Sequence, residues 1–295
     1  MNDEITTTAP ERDWKGWIVF IILAFVWGAS FILIKKGLIH FTPIEVGSLR
    51  VFLSAVTFVP IYFLSRVEFP KGKVAAIILT VFLGNGLPAF LFALAETRLG
   101  SAVSGVLNSL SPVFALLLAI FLFNEKFRRH YVIGLVLGCA GIVMLMIGEK
   151  DWHVSAYVFY IVLATFCYGM SANMVKKFGQ DIHPLAFTSI GFMAIGCIAG
   201  AILLFNGTFS KMQDAIVWRE SLFALLGLAL VCTVFANVLF YWLIQHTNVI
   251  FSSAIAYAIP CMAMVWGSLD GERITFYQLG GFLLIISAVY TLRRR

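Results

Sequence analysis

Ser104, Asn108 and Ser111 stand at i, i+4 and i+7 in SGVLNSLSPVFALL (104–117), so a helix would carry them on one face. Pro112 follows, and it has no N–H to offer the carbonyl four residues earlier, which belongs to Asn108. One position therefore presents a side-chain amide and a freed backbone carbonyl. In an apolar setting both must be met by another helix, a water or a solute. The pattern recurs in GNGLPAFLFALAE (84–96), where Pro88 frees the carbonyl of Gly84 beside Asn85. It recurs again late in the chain with Ser253, Tyr257 and Pro260, and Thr233, Asn237, Tyr241 and Gln245 form a polar stripe at successive i+4 steps. The chemistry on offer is hydrogen bonding, either to a small solute or between helices. Acid–base, nucleophilic and metal chemistry have no support. The five histidines lie near the ends of apolar segments, the five cysteines show no CxxC spacing, and HExxH, P-loop and nucleotide fingerprints are absent from the sequence. No cofactor and no metal is expected. An enzyme would need a histidine or carboxylate beside the hydroxyls to activate them.

The elements that hold these residues are set by hydropathy. Of the 295 residues 61% are hydrophobic and only 12% charged, which describes an integral membrane protein. Unbroken apolar runs of the length needed to cross a hydrocarbon core recur at 15–36, 44–65, 73–96, 101–123, 130–148, 154–177, 185–205, 220–246, 249–268 and 275–292. The expected fold is all-α, with ten transmembrane helices. The runs are too long, and alternate too little, for transmembrane β-strands. Residues 1–14 form a polar tail without a small-residue cleavage site, so the first helix is expected to remain and act as its own targeting signal.

The chain also repeats itself. WGASFILIKKGLIHFTP (27–43) resembles YGMSANMVKKFGQDIHP (168–184) at a constant offset of 141, matching Gly28 with Gly169, Ser30 with Ser171, Lys35 with Lys176 and Pro43 with Pro184. Pro112 aligns with Pro260, and Glu125 with Glu272 after a one-residue slip. The halves are 15–148 and 149–295. Five helices in each would place the second half upside down relative to the first, an inverted repeat of the kind that lets a carrier open one central site to either side in turn. Trp27 and Ser30, with Tyr168 and Ser171, occupy matching places and are candidate walls of that site.

Several segments together resemble the drug/metabolite transporter superfamily in its ten-helix EamA type. They are WGASF, TPIEVGSLR, FALAETRLGSAVSGVLNSLSPVFALLLAIFLFNEKF and PCMAMVWGSLDGERIT, and the resemblance covers essentially the whole chain. It implies a bundle with the first four helices of each half around a central cavity, the fifth of each half set aside, and transport of small metabolites, often outward and including amino acids. The second half departs from the first: Gly191 falls where the offset places the partner of Arg50.

The site expected from these readings is a substrate cavity lined by Trp27, Ser30, Asn85, Asn108, Ser111, Tyr168, Asn237, Tyr241 and Tyr257, with kinks at Pro88, Pro112 and Pro260. Asn108 either touches the substrate or holds its helix against a neighbour. Arg50 is the one cation well inside an apolar run. It is expected to pair with Glu45, or else to attract a substrate carboxylate, while Glu96 lies toward the same interface. No carboxylate falls at a midplane, so proton coupling has no visible residue. Gly134, Gly138 and Gly141 read as a close packing face. Thirteen of the 21 basic residues gather on the side shared by both termini, which places the termini in the cytoplasm, in a bacterial inner membrane. The net charge of +6 follows from that topology and from lipid headgroups, and nucleic acid is not an expected partner. The partners are a small-molecule substrate and membrane lipid, and no oligomeric state is specified. The reading is a secondary exporter of small amphipathic metabolites such as amino acids, working by alternating access. A channel-like permease or an integral-membrane enzyme is the alternative.

Overall fold

A computed structural model describes residues 14–99, 101–126, 128–146, 156–269 and 276–293. The rest of the N-terminal tail and Glu272, the counterpart of Glu125, lie outside them. The ten apolar runs are helical: α1 (Trp14–Gly37), α2 (Pro43–Ser65), α3 (Val74–Glu96), α4 (Ser101–Asn108 continuing as Ser111–Phe123), α5 (Arg129–Met146), α6 (Val158–Phe178), α7 (Pro184–Phe205), α8 (Trp218–His246), α9 (Val249–Ser253 continuing as Ile255–Leu269) and α10 (Phe276–Arg293). Among the described residues seven helices are long and apolar enough to cross a membrane, and the apolar parts of α5, α9 and α10 are shorter.

Local chemistry sets the helix starts. Thr42 caps α2 by accepting from the Glu45 N–H at 3.3 Å, and the Glu45 carboxylate returns the bond by accepting from the Thr42 N–H at 2.8 Å, with Pro43 in the first turn. At the equivalent place in the second half, His183 Nδ1 accepts from the Leu185 N–H at 3.2 Å ahead of α7, again with a proline in the first turn. Glu45 is thereby committed. Its oxygens also accept from Lys211 Nζ at 2.8 and 2.9 Å and from Thr208 Oγ1 at 2.9 Å, so it is not the partner of Arg50. A helix cap and a lysine 166 residues away outcompete an arginine one and a half turns along the same helix.

Packing obeys the duplication. α2 runs along α7 and α5 along α10; α1 rests on α8 and α9, while α6 rests on α3 and α4. Exchanging the two halves leaves this pattern unchanged. Gly28 on α1 meets α9 at Met262, and its mate Gly169 on α6 meets the α4 backbone at Phe114 and Ala115. The small-residue face of α5 does what its spacing implies: Gly134 lies against Leu292 and Ala288, and Gly141 against Ile285 and the Gly281 carbonyl. The core is mostly apolar, as in a water-soluble protein, but the exterior is apolar too. Ser54, Thr188 and Asn173 are buried, while Phe63, Phe121, Phe159 and Phe205 point outward. Cys139 and Cys197 also face outward, and Cys167, Cys232 and Cys261 are core residues.

Three of the helices around the centre are broken, and α6, the repeat mate of α1, stays continuous over Val158–Phe178. α1 breaks at Ala29, α4 at Ser109 and Leu110, and α9 at Ala254. In α3 the stretch Phe82–Gly86, just ahead of Pro88, is π-helical, and so is Leu230–Phe235 in α8, which contains no proline. Matching Glu96 with Gln245 and carrying that register back along both helices sets these two π-segments opposite each other.

Candidate functional site

The breaks meet around a cavity of ≈ 100 Å³. A single buried water needs roughly 10–15 Å³ of such space, so the cavity admits several waters or one small solute. Trp27, Ser30, Asn85, Asn108, Ser111, Tyr168, Asn237 and Tyr241 all line it, as does Arg50. Tyr257 does not. The helix break at Ala254 separates it from Ser253, so their i+4 spacing no longer implies a shared face: Ser253 lines the cavity, while the Tyr257 ring fills the space above Gly138 on α5. Phe31, Phe92, Phe240, Ser252 and Gly84 also line it, beyond the residues expected from the sequence. Nothing separates these phenylalanines from the lipid-facing ones in a chain with 28 of them. Gly84 had a signal in its GNGLP context.

Each polar wall has a definite anchor. The carbonyl that Pro112 frees on Asn108 is taken at 2.7 Å by the Ser111 hydroxyl, so the kink is satisfied within α4. Pro260 frees the Ala256 carbonyl, and Ser109, in the break of α4, reaches across to it at 3.4 Å. The two proline kinks are thus joined directly. Asn237 Nδ2 donates back to the Thr233 carbonyl at 2.8 Å, and Asn85 Nδ2 donates to the Tyr241 hydroxyl at 3.3 Å, linking α3 to α8. The Trp27 indole N–H donates to the Cys232 carbonyl at 2.9 Å, its ring lies edge-on to Phe240 at 5.0 Å, and across the cavity Phe92 stacks on Tyr168 at 5.9 Å. Gly84 must stay without a side chain because a Cβ there would strike Ser171 Oγ. Gln245, the last member of the polar stripe, turns away to donate to the carbonyls of Gly179 and Ile182. Tyr241→Phe removes the acceptor of the Asn85 amide and is expected to lower stability by about 1–2 kcal/mol. An unchanged unfolding midpoint in detergent would show that cavity water serves Asn85 equally well.

Arg50 gives the cavity its charge. Its Nε donates at 2.9 Å to Thr233 Oγ1, which itself donates at 2.8 Å to the Leu228 carbonyl five residues back, a bond the π-segment makes possible. Ser54 shares its hydroxyl between the carbonyls of Arg50 and Ala229 at 2.7 and 3.2 Å. Among the described residues the two terminal nitrogens of Arg50 have no hydrogen-bond partner, so a planar pair of donors faces the cavity side. In the repeat register Thr233 corresponds to Gly84 and Arg50 to Gly191, so the cation sits on one half only.

A central cavity built from helices of both halves, polar on several walls and carrying one cation, sits in a chain whose residues 14–147 and 155–294 each match the EamA-like transporter family. The chain belongs to the EamA-like transporter family. It is an integral membrane protein of a transporter family and not an enzyme. This EamA-like chain is 26% identical to the "Probable amino-acid metabolite efflux pump" of Salmonella typhimurium, over 94% of each chain. It is 24% identical to the "S-adenosylmethionine/S-adenosylhomocysteine transporter" of Chlamydia trachomatis, over 80% of this chain and 75% of that one. A crystal structure of a protein with 13% sequence identity superposes on the EamA-like chain with a TM-score of 0.74, covering 94% and 96% of the two chains, which speaks for the fold.

Proposed function

We propose that this protein is a secondary transporter that exports small amphipathic metabolites carrying a carboxylate, amino acids among them, by alternating access around the central cavity. The observation that carries the reading is the cavity itself, whose lining joins Arg50, with two guanidinium nitrogens unpartnered among the described residues, to Asn108, Asn237 and the aromatic pairs Trp27–Phe240 and Phe92–Tyr168. A carboxylate on the guanidinium, with an aliphatic or aromatic tail among the rings, matches that arrangement. The Salmonella relative, named as a probable amino-acid metabolite efflux pump, points to the same substrate class.

In this reading the ten helices cross the membrane as two inverted five-helix halves, 15–148 and 149–295, in a bacterial inner membrane. Both termini are cytoplasmic, as the distribution of basic residues favours. Lipid meets the outward phenylalanines. Asn108→Ala and Asn237→Ala are expected to reduce uptake of a radiolabelled amino-acid panel into proteoliposomes several-fold while the protein stays folded. Unchanged transport in both variants would remove the assigned site. Saturable counterflow by the wild type separates a carrier from a channel, whose flux would not saturate.

A further inference from the structure

Glu96 ends α3 with 6% of its surface exposed, and neither carboxylate oxygen has a hydrogen-bond partner. It does not line the cavity. The charged groups that act on it come from two neighbouring helices, Lys35 on α1 and Arg50 on α2; α4 and α6, which also pack on α3, bring no charge to bear on it among the described residues. Arg50 already donates to Thr233. Lys35 is exposed and makes no hydrogen bond or ion pair among the described residues. A buried carboxylate without donors is strongly disfavoured as an anion, whereas a carboxylic acid tolerates the same place far better.

The repeat shows what this end of the molecule lacks. Lys176 is the mate of Lys35, and Gln245 the mate of Glu96. In the second half these residues tie the end of α8 to α6 and to the α6–α7 loop. Lys176 Nζ donates to the carbonyls of Ile244 at 3.3 Å and Thr247 at 3.0 Å at the end of α8, and the Gln245 amide holds the α6–α7 loop. Lys73 adds bonds of 2.6 and 2.7 Å to Asp181 in that loop, holding its carboxyl below the usual carboxylate range. The corresponding tie between Lys35 and the end of α3 is not made.

We propose that Lys35 and Glu96 form the second gate of the transport cycle: with Glu96 protonated the two stay apart, and ionised Glu96 pairs with the Lys35 ammonium to close the gate when the halves exchange conformations. The proton lost on closing passes to the water at that end and is regained from it on opening, so the pH of that compartment sets how readily the carrier turns over. An inverted repeat requires such an exchange of roles, and the lysines at both positions are in place for it. The proposal rests on the carrier reading and can fail separately from it.

Two measurements on the full chain reconstituted in lipid need no substrate. Infrared difference spectra between wild type and Glu96→Gln should show the stretch of a protonated carboxyl near neutral pH in the wild type alone, fading as pH rises, and Lys35→Gln should keep it to higher pH. Spin labels at Ile39, just past α1, and Thr97, just past α3, with Cys139 and Cys197 replaced by serine, should report a distance that changes with pH in the wild type and stays at its low-pH value in Glu96→Gln. Glu96→Asp should restore the response. Superimposable spectra, or a wild-type distance indifferent to pH, would overturn the gate. Absence of saturable counterflow would instead overturn the carrier while leaving these signals intact.

Discussion

Arg50→Leu is expected to raise the apparent KM for a carboxylate-bearing amino acid by roughly 10- to 100-fold in proteoliposome counterflow. A hydrogen bond to a charged group contributes about 1.5–3 kcal/mol, and each 1.4 kcal/mol is tenfold in affinity. Arg50 is the cation of the cavity lining, and its terminal nitrogens are uncommitted among the described residues. Arg50→Lys keeps the charge but loses the planar fork and the Nε bond to Thr233, so it should fall between wild type and leucine. The two variants separate binding from scaffolding. If Arg50 served only to hold α2 against the π-segment of α8, lysine and leucine would alter the unfolding midpoint and leave KM unchanged.

A large loss of stability is expected at Gly169, where α6 meets the backbone of α4. A Cβ there would lie 2.8 Å from the Ala115 nitrogen and 2.9 Å from the Phe114 carbonyl carbon, backbone atoms of α4 that cannot rotate aside. Gly169→Ala must therefore push α6 and α4 apart, at about 1–3 kcal/mol, and a larger residue costs more. The separation also strains the bond that Asn173 Nδ2 donates to the Ala115 carbonyl at 2.9 Å. Gly28→Ala is the internal control. Its Cβ would meet Met262 Cβ at 3.2 Å and the Ile259 carbonyl at 3.8 Å, a side chain and an ordinary contact, so its cost should be clearly smaller. Thermal unfolding in detergent measures both, and equal midpoints for the two alanine variants would show that the α4–α6 approach is looser than its geometry.

The sequence was most informative where one residue type has one physical meaning. Apolar length located the helices, and the repeat brought Trp27, Ser30, Tyr168 and Ser171 to one place because duplicated positions pack by the same rule on both sides. The failures share a cause. Of the two readings of Arg50, pairing with Glu45 follows nearness in sequence and fails, because its partner Thr233 is 183 residues away and reaches it from a π-segment that no proline or glycine within it announces. Tyr257 was placed in the cavity by counting i+4 through a helix that breaks at Ala254. Glu96 was read as an interfacial charge because hydropathy reports depth along a helix and not which side of it the neighbours cover. Periodicity holds only while the helix is regular, and here the centre of the molecule is where regularity stops.

The π-segments Phe82–Gly86 and Leu230–Phe235 also set the phase of their helices. Each holds about one residue more than α-helix of the same rise, so everything beyond it is turned by about 100° relative to a continuous α-helix. In α8 that segment contains Thr233, the anchor of Arg50, and immediately precedes Asn237 and Tyr241. Deleting one residue within 230–235 would let the stretch relax to a regular helix, still of sufficient length to span, yet swing both side chains out of the solute's reach. Chain length in this region therefore works as a phase setting, and homologues with one residue fewer here would be built around a different set of inward-facing groups.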